Sequence, residues 1–278
     1  MERSNQRTAL AGRNWAWRMP GRLGAAVIES AGGAVYLTSL MWTVLALCIR
    51  PSNWRRTSRE VFTHKLLETG VNAIVPLGLV AILVGIVVVM QAQLWLGKVG
   101  QTQWLGPLLV VVVVRELAPL MTNLLMILRA GSEMTVELAN MTLAGHVRML
   151  DAQGIDPMVY LVMPRVAAMV VSTFCLMLLF IIFSFVSGYL CSFAFGMGVA
   201  ASGIFLNQVL RALQSEDVLN LLGSGLIPSI LTALICCSQG LNVPTARTAV
   251  PQATRRALSR SVVGLFLVSV PASLITYL

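Results

Sequence analysis

Long apolar runs are the feature of this sequence that most constrains its fold. Five stretches are long enough, or nearly so, to cross a bilayer as helices of about 20 residues; they are residues 71–96, 104–128, 166–195, 218–238 and 261–278. Only 11% of the 278 residues are charged, whereas 57% are hydrophobic. This composition excludes an ordinary soluble globule and a disordered chain. We therefore predict an all-α integral membrane protein.

A sixth apolar run, residues 23–49, has two interpretations. Hydropathy alone favours a span, but a crossing there would place the arginine-rich residues 1–22 and the basic segment 50–65 on opposite sides of the membrane. An interfacial helix keeps both basic segments cytoplasmic, and we prefer it for that reason. The chain then has a basic cytoplasmic N-terminal region, residues 1–65, and a membrane domain, residues 66–278.

The distribution of basic residues predicts the orientation of the five spans. With five crossings, 17 of the 20 Lys and Arg residues fall on one side of the membrane. The other side holds Lys98 and Arg211, and Arg115 lies inside the second span. The positive-inside rule then places the N-terminus in the cytoplasm and the C-terminus outside. The net charge of +9 is thereby explained by topology, and we expect no nucleic-acid partner.

Two adjacent charges, Arg115 and Glu116, interrupt the second apolar run. Charges at membrane depth cost several kcal/mol unless they are paired or hydrated. Neighbouring helical residues point in different directions, so we predict a water-accessible cavity lined by protein, with Pro119 bending the helix nearby. Arg115 would bind an anionic head group, and Glu116 would hold Arg115 or a facing helix; the alternative is a structural ion pair. The first, third and fourth spans lack Lys and Arg, so we expect any partner for Glu116 to come from the second span, from a loop or from a second copy of the chain.

The end of the first span carries a second group of polar and aromatic residues. Gln91 and Trp95 are four residues apart and therefore share one helical face. Gln91 would line the same cavity as Arg115. The alternative is an interhelical hydrogen bond for Gln91 and an interfacial anchor role for Trp95.

The loop between the second and third spans predicts a short amphipathic helix over about residues 132–150. Ser132 is a plausible N-cap, and Glu133 and Arg148 lie at the ends that the helix dipole favours. Met134, Leu138, Met141 and Leu150 form an approximate apolar stripe, and Asp156-Pro157 follows the end of the helix. We expect this helix to dock into a partner protein; a helix lying on the lipid surface is the alternative.

Catalytic and metal-binding patterns are absent from the sequence. The two histidines have no neighbouring ligand set, the five cysteines have no metal-site spacing, and no phosphate-binding loop is present. We expect no metal, no cofactor and no enzymatic activity of the chain itself. Any ATP would be bound and hydrolysed by a separate subunit.

The ordered motifs resemble those of the MlaE/YrbE permease family, the membrane subunits of MCE-associated ABC transporters that move phospholipids or other lipids. The resemblance covers about residues 60–278. It is carried by Gln91, Arg115-Glu116-Leu117-x-Pro119, Arg129-x-Gly131-Ser132 with Glu137-Leu138, Gly154-x-Asp156-Pro157, Pro164-Arg165 and Pro244-Thr245.

This resemblance implies a permease homodimer in the bacterial inner membrane, two cytoplasmic ABC ATPase subunits and a periplasmic MCE-domain protein. It also implies a lipid cavity and an ATPase-coupling segment. We assign to the cavity Val88, Gln91, Trp95, Arg115, Glu116 and Pro119. We assign to the coupling segment Glu133, Glu137, Leu138, Met141, Arg148, Asp156 and Pro157. The chain departs from the family pattern at Gly145-His146 and at Glu133, both within the predicted coupling helix.

Two other functions are compatible with the sequence. One is an ABC permease for a different hydrophobic substrate, such as a sterol, a terpenoid or a solvent. The other is an ion-coupled secondary transporter that uses Arg115 and Glu116 as a relay, although the chain has no internal repeat and only one intramembrane acid.

Overall fold

The computed structural model describes residues 38–44, 46–48, 56–100, 105–194, 215–244 and 248–277. The chain divides into two compact units, Met1–Thr43 and Val44–Leu278. Of the first unit, the structure describes residues 38–43, which are helical and belong to a short apolar helix, α1 (Thr38–Cys48). The choice between an interfacial and a spanning helix over residues 23–49 falls mostly outside the described residues and stays a prediction.

The second unit is built from long helices. They are α2 (Arg56–Val99), α3 (residues 105–143), α4 (His146–Ala152), α5 (Met158–Ala194), α6 (Ser215–Leu241) and α7 (Ala249–Tyr277). Five of these, all except α4, are long and apolar enough to cross a membrane, and the described ranges contain no strand. The predicted all-α membrane fold is therefore confirmed.

The helices extend well beyond the apolar runs from which the spans were predicted. Helix α2 has 44 residues, which corresponds to about 66 Å at 1.5 Å per residue, about twice the hydrocarbon thickness of a bilayer. It begins 15 residues before the predicted span at residue 71. Its polar first turns continue the same helix before the apolar run, because a charged residue ends an apolar run without ending a helix.

Helix α2 packs along its length against α5. One face of α2 is buried at helical spacing through Ala73, Leu77, Ala81 and Val89, while its opposite face exposes apolar side chains such as Val75, which is 76% exposed. The two helices approach closely because small residues lie at the contact. A Cβ added to Gly188 would lie 2.9 Å from the carbonyl oxygen of Gly85, so glycine is needed at this crossing.

Helix α6 is the most enclosed of the five long helices. In its apolar window 67% of the residues are buried, compared with 17% for α7. Its small residues contact α5 and α3: Ser229 Oγ lies 3.1 Å from Thr173 Oγ1, and Cys237 Sγ lies 3.4 Å from Met134 Sδ. These small residues therefore serve packing within the chain.

Helix α3 differs from the sequence prediction in its organisation. It consists of α-helical segments Leu105–Leu109, Ala118–Met126 and Ser132–Leu143, joined by two π-helical segments, Val110–Leu117 and Ile127–Gly131. The second predicted span and the first part of the predicted coupling helix thus form one continuous helix.

The predicted N-cap at Ser132 is wrong. Ser132 has helical backbone angles, and its hydroxyl donates hydrogen bonds to the carbonyl oxygens of Leu128 and Arg129, at 2.7 and 2.8 Å. The predicted single helix over residues 132–150 is also broken. Gly145 has a φ of +80°, a conformation that glycine adopts without strain, and it separates the end of α3 from the short helix α4.

Candidate functional site

The predicted intramembrane charges lie in the first π-helical segment of α3. Arg115 and Glu116 are in Val110–Leu117, and the backbone N–H of Ala118 donates to the carbonyl oxygen of Val113, five residues earlier. Pro119 then falls in the first turn of the next α-helical segment, where it has no backbone N–H to donate to the preceding π-helical segment. π-Helical turns inside α-helices occur frequently at functional sites.

A hydroxyl of α7 contacts the intramembrane carboxylate. Ser273 Oγ donates a hydrogen bond to Glu116 Oε1 at 2.8 Å. Glu116 and Arg115 are both half-buried, so neither is sealed in the core. We expected the partner of Glu116 in the second span, in a loop or in a second copy of the chain, and this contact from α7 contradicts that expectation. A serine in an apolar run gives no signal that distinguishes it from other serines.

Asn123 is a further polar residue of this region that sequence reasoning missed. It is 1% exposed, and its Nδ2 donates to the carbonyl oxygens of Pro119, at 2.9 Å, and Gly225, at 3.2 Å. The first bond stays within α3, and the second ties α3 to α6. Its position four residues after Pro119 in an apolar run was the available signal.

The predicted cavity residues of α2 lie on an exposed face. Gln91 is exposed, Trp95 is 67% exposed and Val88 is half-buried. The ammonium of Lys98 lies 5.6 Å from the centroid of the Trp95 ring, a cation–π contact that suits an interfacial anchor. The glutamine that enters the helix packing is Gln93, whose Oε1 accepts a hydrogen bond of 2.8 Å from Ser192. It stays a prediction that one cavity is lined by Gln91, Trp95 and Val88 together with Arg115.

Three of the predicted coupling residues point into the molecule. Leu138 is completely buried, and Glu137 and Met141 are half-buried beside Arg165. Arg165 donates to Glu137 Oε1 at 3.0 Å and contacts Met141 Sδ at 3.7 Å. Within this chain the three residues therefore make internal contacts, because the C-terminal part of α3 packs against its neighbours.

The remaining coupling residues lie on or next to accessible surface. Glu133, Arg148 and Asp156 are exposed and Pro157 is half-buried. The short helix α4 has no fully buried residue, and Met149 is 60% exposed. The Asp156 carboxylate accepts a hydrogen bond of 2.9 Å from the N–H of Met158 and so shapes the start of α5. The accessible part of the predicted coupling segment is therefore Glu133 of α3 together with α4 and the loop after it.

Metal-ligand clusters are not found in the part of the chain that the structure describes, where no group of three or more His, Cys, Asp or Glu side chains could hold an ion. The groups that the site offers for binding are the guanidinium of Arg115 and the carboxylate of Glu116, both within an apolar helix. Such groups bind charged and polar head groups through hydrogen bonds.

Comparison with known proteins gives the same family as the sequence motifs. The sequence profile of the family described as "Permease MlaE" matches residues 62–275. The chain is 26% identical over 216 residues to the Arabidopsis thaliana protein named "Protein TRIGALACTOSYLDIACYLGLYCEROL 1, chloroplastic". The aligned region covers 77% of this chain and 59% of that protein.

Two bacterial relatives are named as probable ABC transporter permease proteins. That of Rickettsia conorii is 25% identical over 206 residues, 73% of this chain and 77% of the relative. That of Synechocystis sp. is 30% identical over 174 residues, 60% of this chain and 63% of the relative.

Proposed function

The chain belongs to the MlaE permease family, and from this premise we propose that it is the membrane subunit of an ATP-driven ABC transporter that moves phospholipid or a related lipid. The observation that carries the proposal is the placement of Arg115 and Glu116. They lie in a π-helical segment in the middle of an apolar helix, with Glu116 hydrogen-bonded to α7. Ionisable residues at membrane depth mark substrate pathways by default.

The chemistry of these two residues suits an amphiphilic substrate. The guanidinium of Arg115 would bind a phosphate group through charge-assisted hydrogen bonds. The acyl chains would lie against apolar faces of α2 and α3, where side chains such as Leu79 and Leu83 are 59% and 57% exposed. The Arabidopsis relative carries the name of a glycerolipid, which supports a lipid as the class of substrate.

Helix α4 is the surface that we assign to the ATPase. It is short, exposed and bounded by two glycines of positive φ, Gly145 at +80° and Gly154 at +73°. Two relatives are named as ABC transporter permeases, and ABC permeases work with separate ATPase subunits. We place one ATPase on the cytoplasmic side of each copy of a homodimer. Closure of the two ATPases then displaces α4 and reshapes a cavity between the copies, so that the cavity opens alternately to the two sides of the membrane.

The same proposal includes a periplasmic MCE-domain protein as the donor or acceptor of lipid. It places the transporter in the bacterial inner membrane, with the N-terminus cytoplasmic and the C-terminus periplasmic. A pull-down of the tagged chain from its native membrane in mild detergent, followed by mass spectrometry, tests these partners. Recovery of an ATPase and an MCE-domain protein supports the assembly, and reproducible recovery of the chain alone contradicts it.

The substrate site is tested with Arg115→Ala in the purified complex, using phospholipid vesicles and a fluorescent phospholipid. Loss of a hydrogen bond to a charged group costs about 1.5 kcal/mol or more, so we expect lipid transport to fall about tenfold with assembly unchanged. Arg59→Ala is the matched control, since Arg59 is exposed in the first turns of α2, away from the apolar run. Unchanged transport in Arg115→Ala would remove Arg115 from the mechanism.

The same assay separates the competing functions. ATP depletion should abolish transport and a protonophore should not; the reverse pattern identifies an ion-coupled secondary transporter. Competition by a sterol, a terpenoid or a solvent, without competition by phospholipid, identifies an ABC permease for another hydrophobic substrate.

A further inference from the structure

Four charged side chains of alternating sign connect three helices near the predicted cytoplasmic surface. Lys65 Nζ of α2 lies 2.7 Å from Glu68 Oε2 and 2.7 Å from Glu137 Oε2 of α3. Glu137 Oε1 lies 3.0 Å from a guanidinium nitrogen of Arg165 of α5. We call these residues, in the order Glu68, Lys65, Glu137 and Arg165, the charge chain.

The order of the charge chain makes its central contact the easiest to open. If Lys65 and Glu137 separate, Lys65 keeps Glu68 and Glu137 keeps Arg165, so no charge is left without a partner. The contact between Glu137 and Arg165 is different. The Arg165 side chain is 2% exposed, and separation would leave a buried cation uncompensated, which is strongly unfavourable. The Lys65–Glu137 contact is thus suited to open and close.

Helix α2 contains a residue at which it can bend, between this contact and its close approach to α5. Pro76 lies inside α2, where it removes a backbone hydrogen bond and permits a kink. After Pro76, α2 is held against α5 by the close approach of Gly85 and Gly188. Before Pro76, the Ser172 hydroxyl of α5 donates a longer hydrogen bond, of 3.4 Å, to the carbonyl oxygen of Leu66, and this bond would open with the bend. Lys65 precedes Pro76 by 11 residues, or about 16 Å of helix. A bend of about 10° at Pro76 therefore moves Lys65 by about 3 Å, enough to break a contact of 2.7 Å.

The charge chain also reaches the segment that we assign to the ATPase. Arg165 donates to the carbonyl oxygen of Leu161 at 2.8 Å, within the π-helical segment Met158–Val162 that begins α5. This segment follows α4 after a loop of a few residues. A movement of α4 is therefore transmitted to the region of Arg165 and, through the ion pair, to Glu137.

We propose that Lys65 is a positioning residue for transport, and that its contact with Glu137 is a latch between α2 and α3. The latch is closed in the state that the structure shows, and it opens by bending of α2 at Pro76 when the ATPase moves α4. Opening changes the position of α2 and with it the lipid-facing surface that α2 contributes. This inference rests on the proposed function, because it assigns a step of the ATP-driven cycle to two residues.

Locking the latch shut is the sharpest test. Thr69 of α2 and Ala130 of α3 line the same narrow cleft as Lys65 and Glu137, and neither belongs to the charge chain. We would introduce Thr69→Cys and Ala130→Cys into the full complex after replacing the five native cysteines, and join them with a short, reducible thiol cross-linker. We expect ATP-driven phospholipid transport to fall at least about fivefold on cross-linking, the lower range of coupling between sites, and to recover on reduction. A contact with only a structural role would tolerate being held shut, so normal transport in the cross-linked complex would overturn the latch.

A second set of variants tests the latch without a cross-link. We expect Lys65→Gln to lower the lipid moved per ATP hydrolysed about fivefold, and Lys65→Arg to restore it, because arginine keeps the charge. Glu60→Gln, one turn earlier on α2 and exposed, is the matched control. An unchanged ratio in Lys65→Gln overturns the latch, whereas absence of ATP-dependent transport in the wild-type complex overturns the proposed function instead.

Discussion

Gly85→Ala tests the packing of α2 against α5 most directly. A Cβ added at Gly85 would lie 2.7 Å from Ser184 Cα and 2.6 Å from Ser187 Oγ, whereas ordinary van der Waals contacts begin at 3.4 Å. The nearest neighbours include backbone atoms of α5, which cannot turn away as a flexible side chain can. The two helices must therefore separate by about 1 Å at this point, in an interior that is packed like a crystal.

The magnitude follows from two opposing effects. Overpacking of a well-packed core costs about 1–3 kcal/mol, and alanine regains up to about 1 kcal/mol over glycine as a helix former. We expect the free energy of unfolding to fall by about 1–2 kcal/mol, which corresponds to a decrease in Tm of about 2–8 °C for a chain of this size.

Thermal unfolding in detergent, followed with a thiol-reactive dye, measures this decrease. Cys236 and Cys237 are buried and become reactive on unfolding. Gly97→Ala is the matched control, because it lies on the same helix and an added Cβ there meets no atom within 4 Å. Its Tm should stay equal or rise. A Tm of Gly85→Ala at or above wild type, or an equal decrease in Gly97→Ala, would refute the packing argument.

Three other substitutions test contacts of the site. Glu137→Lys leaves the buried Arg165 without its counter-charge, and we expect the free energy of unfolding to fall by about 3 kcal/mol or more, measured with the same dye; a Tm within 1–2 °C of wild type, as an order of magnitude, would contradict this. Ser273→Ala removes the hydrogen bond to Glu116, and we expect transport to fall by about three- to tenfold with a small decrease in Tm, whereas Ser273→Thr, which keeps the hydroxyl, should transport normally. Asn123→Ala removes the two hydrogen bonds that its side chain donates, which should lower the free energy of unfolding by about 1–2 kcal/mol; a stability equal to wild type would show that these bonds contribute nothing.

Some features of the structure were predictable from the sequence, and others were not. The five long helices were predictable because an apolar run of membrane length has few alternatives to a helix in lipid. Arg115 and Glu116 were recognisable because charge inside such a run is rare. The internal contacts of Glu137 were not predictable, since its partners Lys65 and Arg165 lie on other helices, at distances along the chain that no local pattern encodes.

The break in the helix at Gly145 is a second feature that the local sequence did not decide. A glycine inside a helical pattern is a signal for either a break or a tolerated weak point, and the apolar stripe through residues 132–150 favoured a continuous helix. The structure separates α3 from α4 there. The choice depends on where α4 and the loop after it must lie relative to α5, which is a tertiary constraint.

The sequence by itself determined the class of fold, the five long apolar helices among the described residues and the family to which the chain belongs. These properties follow from hydropathy and from the order of short motifs, and both are read along the chain. Tertiary structure decided which polar groups meet: Ser273 with Glu116, Asn123 with Gly225, and Lys65 with Glu137. Such contacts depend on the rotation and the level of each helix relative to its neighbours. Both are fixed by packing between helices, at close approaches such as that of Gly85 and Gly188.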